Sequence, residues 1–311
     1  MTRNEPSPLS STSSAPPLYS AAKPALLFGD DPAGMERTSS LLEAAGVRLA
    51  GQASLDDAAG RLDQQIALGL VWLECASPAA VLPDALLDRL AKLAESGEAA
   101  VVASAPSSMI DLLAARLDQG SAQILINPDD AQRAGALSLA LAEARSSPRV
   151  SDVGRDNAVR LRQLSDEMGR IAATLARLSS TPEDSGPSVI QLFDPVVDAP
   201  PLTVGTLRAV IRARRLRSRF FNDELFADPA WDMLLDLLQA EIAQHRVPVS
   251  SLCIAAAVPA TTALRWIKAM TDSGIFVRRA DPHDGRRVFV ELSPGASGAM
   301  RAYFAELAKV T

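Results

Sequence analysis

Apolar runs alternate with amphipathic stretches through the first half of the chain. The runs are Ala25-Leu26-Leu27-Phe28, Val47-Arg48-Leu49-Ala50, Leu68-Gly69-Leu70-Val71-Trp72-Leu73, Ala100-Val101-Val102-Ala103 and Ile124-Leu125-Ile126. Helical stretches such as 35–45, 85–93 and 110–117 separate them. Five such repeats predict a doubly wound parallel sheet with helices on both faces, over residues 25–146. A long helix follows at 152–180. There Leu161, Leu164, Met168, Ile171, Leu175 and Leu178 recur at 3-4-3-4-3 spacing, a heptad seam under three heptads long. The seam predicts a parallel dimer; the alternative is a helix packed on its own domain. Residues 181–202 form a linker, with prolines at 182, 187, 195, 200 and 201.

The pattern changes from residue 203 onward. A basic helix is predicted from Thr203 through Phe221, and 229–244 forms another, with Trp231, Leu234, Leu235, Leu238 and Ile242 as its apolar stripe. Ser250 and Ser251 suit the cap of a short helix through Ala257. Val258-Pro259 breaks it and starts a second helix. Ala263, Trp266, Ile267 and Met270 make that helix's buried face, and Thr261, Leu264, Arg265 and Lys268 lie on the other. Gly274 stops it. Residues 275–277 and 288–292 read as two strands around the arginine-rich stretch 278–287, and 297–309 as a closing helix.

Composition sharpens this picture. A chain of 311 residues with 48% hydrophobic residues has ample apolar material for two domains, and Ala and Leu favour helix. Residues 1–24 hold six serines and five prolines, which predicts a disordered tail with no secretory signal. No apolar run reaches the length of a membrane span. Cys75 and Cys253 sit in apolar runs and read as buried packing residues rather than a disulfide. These features predict a soluble cytoplasmic protein. The net charge of −6 hides an asymmetry. Residues 203–311 carry 15 Lys and Arg against 11 Asp and Glu, a net of +4, which leaves −10 on residues 1–202. A basic half is drawn to nucleic acid and an acidic half is repelled by it.

A helix pair followed by an arginine-rich hairpin is the outline of a winged helix. The run Asp281-Pro282-His283-Asp284-Gly285-Arg286-Arg287, with Val288 through Ser293, resembles the wing of MarR-type transcriptional regulators, and Ala263 to Gly274 is similar to their recognition helix. The resemblance spans about Trp231 to Leu292, roughly a fifth of the chain. It implies binding of double-stranded DNA, with one helix in the major groove and a basic loop on a neighbouring phosphate or minor groove. The expected contacts are Thr261, Thr262, Leu264, Arg265 and Lys268 from the helix, and Arg278, Arg279, Arg286 and Arg287 from the hairpin, with Asp284 bracing an arginine.

The N-terminal domain resembles the receiver of response regulators at its strand ends. Asp30-Asp31 stands where receivers carry an acidic pair, Glu74 where they carry the phospho-accepting aspartate, Ser104 where a hydroxyl is usual, and Asn127-Pro128 where Lys-Pro is usual. Glu74 is one methylene longer than aspartate and Asn127 supplies no charge, so the resemblance implies a pseudo-receiver without phosphotransfer. Glu74 would then act as a permanent negative group. Asp30, Asp31 and Glu74 are either a magnesium site or solvated carboxylates; no cofactor and no metal is assigned.

The sequence therefore predicts an α/β domain joined to an α+β domain: a receiver-like (βα)5 unit at 25–146, a coiled-coil helix, and a winged helix at 203–311. The expected function is a homodimeric, DNA-binding transcriptional regulator, with a signalling partner at the pseudo-receiver and its influence carried through the connector. The alternative is an adaptor whose receiver-like domain docks a partner while the winged helix leaves DNA alone. An enzyme is not expected, since the sheet carries no glycine-rich phosphate loop, nucleophile elbow or metal-ligand cluster.

Overall fold

Four of the five apolar runs lie in strands that are largely buried. β1 (Ala25–Gly29), β2 (Leu49–Ser54), β3 (Leu70–Glu74), β4 (Ala100–Ala105) and β5 (Gln123–Ile126) form one parallel sheet in the order β2-β1-β3-β4-β5. This is a doubly wound order. The computed structural model describes residues 23–65, 67–117, 122–146, 202–222 and 226–310. The second strand starts at Leu49 and runs on to Ser54, because the Val47 N–H is taken by Leu42 O in the turn that closes the preceding helix.

Helices cover both faces. α1 (Pro32–Ala44) and α5 (Asp130–Ser146) bury Leu27, Trp72 and Leu125 with Leu42 and Leu137. α2 (Ala58–Asp63), α3 (Asp84–Ser96) and α4 (Ile110–Arg116) cover the other face, where Phe28, Val71 and Ile124 meet Leu62, Leu86 and Leu113. α1 begins three residues earlier than its apolar pattern indicates. Asp31 caps it, accepting from Ala33 N and Gly34 N, and Pro32 occupies the first turn. α5 opens on a reciprocal cap: Asp129 N donates to Gln132 Oε1 and Gln132 N to Asp129 Oδ1.

The second domain opens with α6 (Val204–Leu216), capped by Thr203 and closed by a 3-10 turn at Arg217–Arg219, which is shorter than the expected helix to Phe221. α6 packs on α7 (Pro229–Ala243), and Arg214 Nε donates to Asp232 Oδ1 at 2.8 Å. β6 (Val247–Pro248) leads into α8 (Val249–Ala255). A turn through Ala257, at φ +54°, then starts α9 (Ala260–Asp272), whose axis is bent 108° from that of α8. Gly274, at φ +72°, ends α9 in a Schellman turn with Ile275 N on Met270 O and Gly274 N on Thr271 O. β7 (Phe276–Ala280) and β8 (Val288–Leu292) form the hairpin, and β8 also pairs with β6, giving the order β6-β8-β7. α10 (Pro294–Val310) closes against α7 and β8. The order helix, short strand, helix, helix, hairpin is a winged-helix arrangement.

Several expectations are corrected. Ser250 and Ser251 do not cap α8; Pro248 holds that position and makes no side-chain cap. Trp266 is 42% exposed rather than on the buried face. Arg278 and Arg279 lie on β7, paired across from Val290 and Phe289, so the wing loop is only 281–287. The heptad residues Leu161, Leu164, Met168, Ile171, Leu175 and Leu178 lie outside the described residues, as do the linker from 181 to 201 and the tail through residue 22. Among the described residues no single helix is long and apolar enough to cross a membrane.

The two domains touch directly. α8 lies against α4, α9 against β5, and α4 also reaches β8, so one apolar cluster runs from Phe28 and Leu113 to Leu252 and Ile267.

Candidate nucleic-acid interface

α9 presents three sides. At 100° per residue, Ala263, Ile267 and Met270 fall on one line, toward the winged helix's own core. Thr261, Leu264 and Lys268 centre about 130° away from it. Thr262, Trp266 and Ala269 complete the circle and are exposed. Thr261 and Leu264 were expected at the groove as open positions. They are instead 5% and 4% exposed. Thr261 Oγ1 accepts a 2.9 Å hydrogen bond from Ile126 N on β5, and α9 lies against that strand as well as against its own domain. Arg265 is exposed, and Lys268 Nζ is 3.7 Å from Asp272 Oδ2.

The wing is shaped by its two aspartates. Asp281 Oδ1 accepts from His283 N, and Asp281 N donates to Arg287 O. Asp284 Oδ1 accepts from Arg286 N, while its Oδ2 lies 3.4 Å from Arg287 Nε. Arg286 and Arg287 are exposed at this tip. Arg279 pairs across the hairpin with Glu291 at 3.4 Å. Arg246, which the sequence reading passed over, stacks on Phe289 with 4.1 Å to the ring centroid, adding a cation beside the hairpin.

The expected acidic pocket of the first domain is differently wired. Glu74 is 2% exposed. Its Oε1 accepts from Ser104 Oγ at 3.1 Å and from Arg133 Nη2 at 2.8 Å; its Oε2 accepts from Thr38 Oγ1 at 3.1 Å and Trp72 Nε1 at 3.2 Å. Glu74 is thus a neutralised, saturated buried ion pair and not an open negative group. Asp30 accepts from Ala76 N and Ser77 N, and Asp31 caps α1, so the three carboxylates serve three separate structural tasks. Among the described residues no cluster of His, Cys, Asp or Glu has the grouping of a metal site. Asn127 follows β5 at φ +45° with its N–H on Ala105 O. Arg133 was missed because it lies in α5, beyond the strand ends that carry the receiver pattern. A cleft of about 510 Å³ opens beside Asp30, lined by Gly29, Met35, Ser54, Leu55 and Asp56 among others.

Cys75 is buried and outside any disulfide; burial, with Asp30 and Glu74 nearby, pushes its thiol up to about 12. On α7, burial pushes the Asp236 carboxyl above its ordinary range, against the opposing pull of Arg215.

No family model and no curated protein matches the sequence. Solved structures do match in part. Transcriptional regulator Tm0710 from Thermotoga maritima is 18% identical, with 33% of this chain and 72% of that chain covered at a TM-score of 0.24. A probable transcriptional regulator from Pseudomonas aeruginosa is 25% identical, covering 34% and 78% at 0.23. BpsR of Bordetella bronchiseptica, whose DNA binding is regulated by 6-hydroxynicotinic acid, is 20% identical, covering 34% and 82% at 0.21. Overlaps this partial carry no functional argument.

Proposed function

We propose that the chain is a DNA-binding transcriptional regulator that works as a homodimer, with α9 entering the major groove and the 281–287 wing following the backbone or minor groove. The observation that carries this is the continuity of α9 with the wing. A helix bearing Thr262, Arg265 and Lys268 passes through the Gly274 stop straight into a hairpin tipped by Arg286 and Arg287. In such modules the helix reads base edges and the basic loop fixes register on phosphates. The +4 balance of residues 203–311 agrees with a polyanionic partner. The first domain acts as a pseudo-receiver: with Glu74 locked to Arg133, its influence does not depend on phosphorylation. For the homodimer, the heptad at 152–180 is the proposed seam, and Phe220, Phe221 and Tyr303, exposed by 73%, 57% and 47%, offer further apolar surface.

Titration of the full chain with duplex DNA over a salt series tests this. Arg286→Ala and Arg287→Ala each weaken binding and reduce the log–log salt slope by about 1, with folding intact. A slope that stays put in both variants removes the wing from the contact set. A second reading, an adaptor without DNA binding, is favoured by the burial of Thr261 and Leu264. Absence of a gel shift with genomic fragments at low ionic strength would select it.

A further inference from the structure

The structure points to an autoinhibitory clasp, in which the sheet edge of the first domain occupies the side of α9 that would otherwise enter DNA. This rests on the DNA-binding reading and specifies how that site is regulated. Three observations carry it. β5 is the edge strand of its sheet, and an open edge leaves backbone groups unpaired. In a parallel strand, alternate residues turn their N–H toward the neighbour or away. The Asn127 N–H goes inward to Ala105 O, so that of Ile126 goes outward, and Thr261 Oγ1 takes it at 2.9 Å. Thr261 and Leu264 are buried although they lie about a third of a turn from the stripe that faces their own core, on a helix that lies against β5.

The same clasp is riveted one helix earlier. Asp111, in the first turn of α4, accepts from both Ser250 N at 2.9 Å and Ser250 Oγ at 2.7 Å on α8. These are hydrogen bonds to a charged acceptor, part-buried, across 139 residues of chain, and they fix the helix pair as a unit against the α4–β5 surface. A recognition helix presents its N-terminal residues to base edges. In α9 that end runs from Ala260 to Arg265; Thr262 and Arg265 are open, but Thr261 and Leu264, the other expected groove contacts there, cannot hold a strand edge and a groove at once. DNA therefore binds only the fraction of molecules in which α9 has left β5, and the apparent affinity is lowered by that fraction. The sheet domain, which belongs to the acidic half of the sequence, lies against the basic second domain, an electrostatic competitor for the same surface.

The test uses the full chain and a short random-sequence duplex at low ionic strength. Asp111→Ala removes the acceptor of Ser250 without touching any residue assigned to DNA; it raises affinity about ten-fold or more. The double variant Asp111→Cys, Ser250→Cys joins the domains when oxidised. Its oxidised form loses binding and its reduced form regains it. Equal binding by oxidised and reduced forms overturns the clasp and leaves the DNA-binding reading standing, as does an unchanged affinity for Asp111→Ala. No binding by any form, Asp111→Ala included, overturns the DNA-binding reading and the clasp with it.

Discussion

Glu74 stays buried at the end of β3 because four donors from four different segments converge on its two oxygens. A carboxylate taken out of water without such partners would cost several kcal/mol. The guanidinium of Arg133, itself 12% exposed on its side chain, supplies the opposing charge. Arg133→Ala should therefore lower unfolding stability by about 3–5 kcal/mol, as chemical denaturation would measure, because it leaves a buried charge unpaired. A loss under 1 kcal/mol would mean water reaches Glu74. The neighbouring thiol offers a second check. With Cys75 pushed up to about 12, its thiolate is scarce in the folded protein at neutral pH, so alkylation near pH 8 should be far slower than in denaturant. Labelling rates followed by mass spectrometry decide it. The strand ends were legible at this scale: apolar runs fix where a buried strand stops, which placed Asp30, Glu74, Ser104 and Asn127 correctly along the chain. Arg133 was not legible. Its partner is 59 residues away, and no local pattern marks a side chain that reaches back across a helix turn.

At the scale of elements, periodicity separated the core stripe of α9 from its other side but was blind to what lies opposite. Thr261 and Leu264 fall off the core stripe, so the pattern marks them as open, yet tertiary packing against β5 buries them. Trp266 shows the converse: it borders the stripe by angle and remains 42% exposed. β8 was readable as the strand 288–292; β7 runs on past the expected 275–277 into Arg278 and Arg279, whose charges hide a strand. Thr261→Val keeps the shape of that side chain and removes its acceptor from Ile126 N. Hydrogen exchange at the Ile126 amide should accelerate by about ten-fold, while exchange in β3 stays unchanged. α7 carries a pH-dependent element as well. Burial raises the Asp236 carboxyl, so the neutral form is favoured in the folded state. The associated stability is full below the ordinary carboxylate range, about pH 4, and declines as pH rises through the folded-state value. Asp236→Asn should melt above wild type at neutral pH, with the difference vanishing in acid. A constant offset across the series would contradict that assignment.

Across the whole molecule, the two sheet-bearing units that the sequence is expected to divide are joined by a surface it does not announce. Charge asymmetry and the Pro-rich stretch at 181–202 mark the division. The junction joins a shared apolar cluster to one hydrogen bond between residues 135 positions apart and two between residues 139 apart, and neither Thr261 nor Asp111 has a local signature for that role. The expected route of influence ran through the connector at 152–180. Direct contact of α4 and β5 with α8 and α9 offers a shorter one for the proposed regulation, since whatever shifts the α4–β5 surface shifts the exposure of Thr261 and Leu264. Hydrogen exchange of the full chain with and without duplex DNA tests the central claim most directly. On adding DNA, the account predicts slower exchange in α9 and in the wing at 281–287, together with faster exchange at Ile126 and in the first turn of α4. No change in α9 and the wing, or their protection with Ile126 still fully protected, would contradict it.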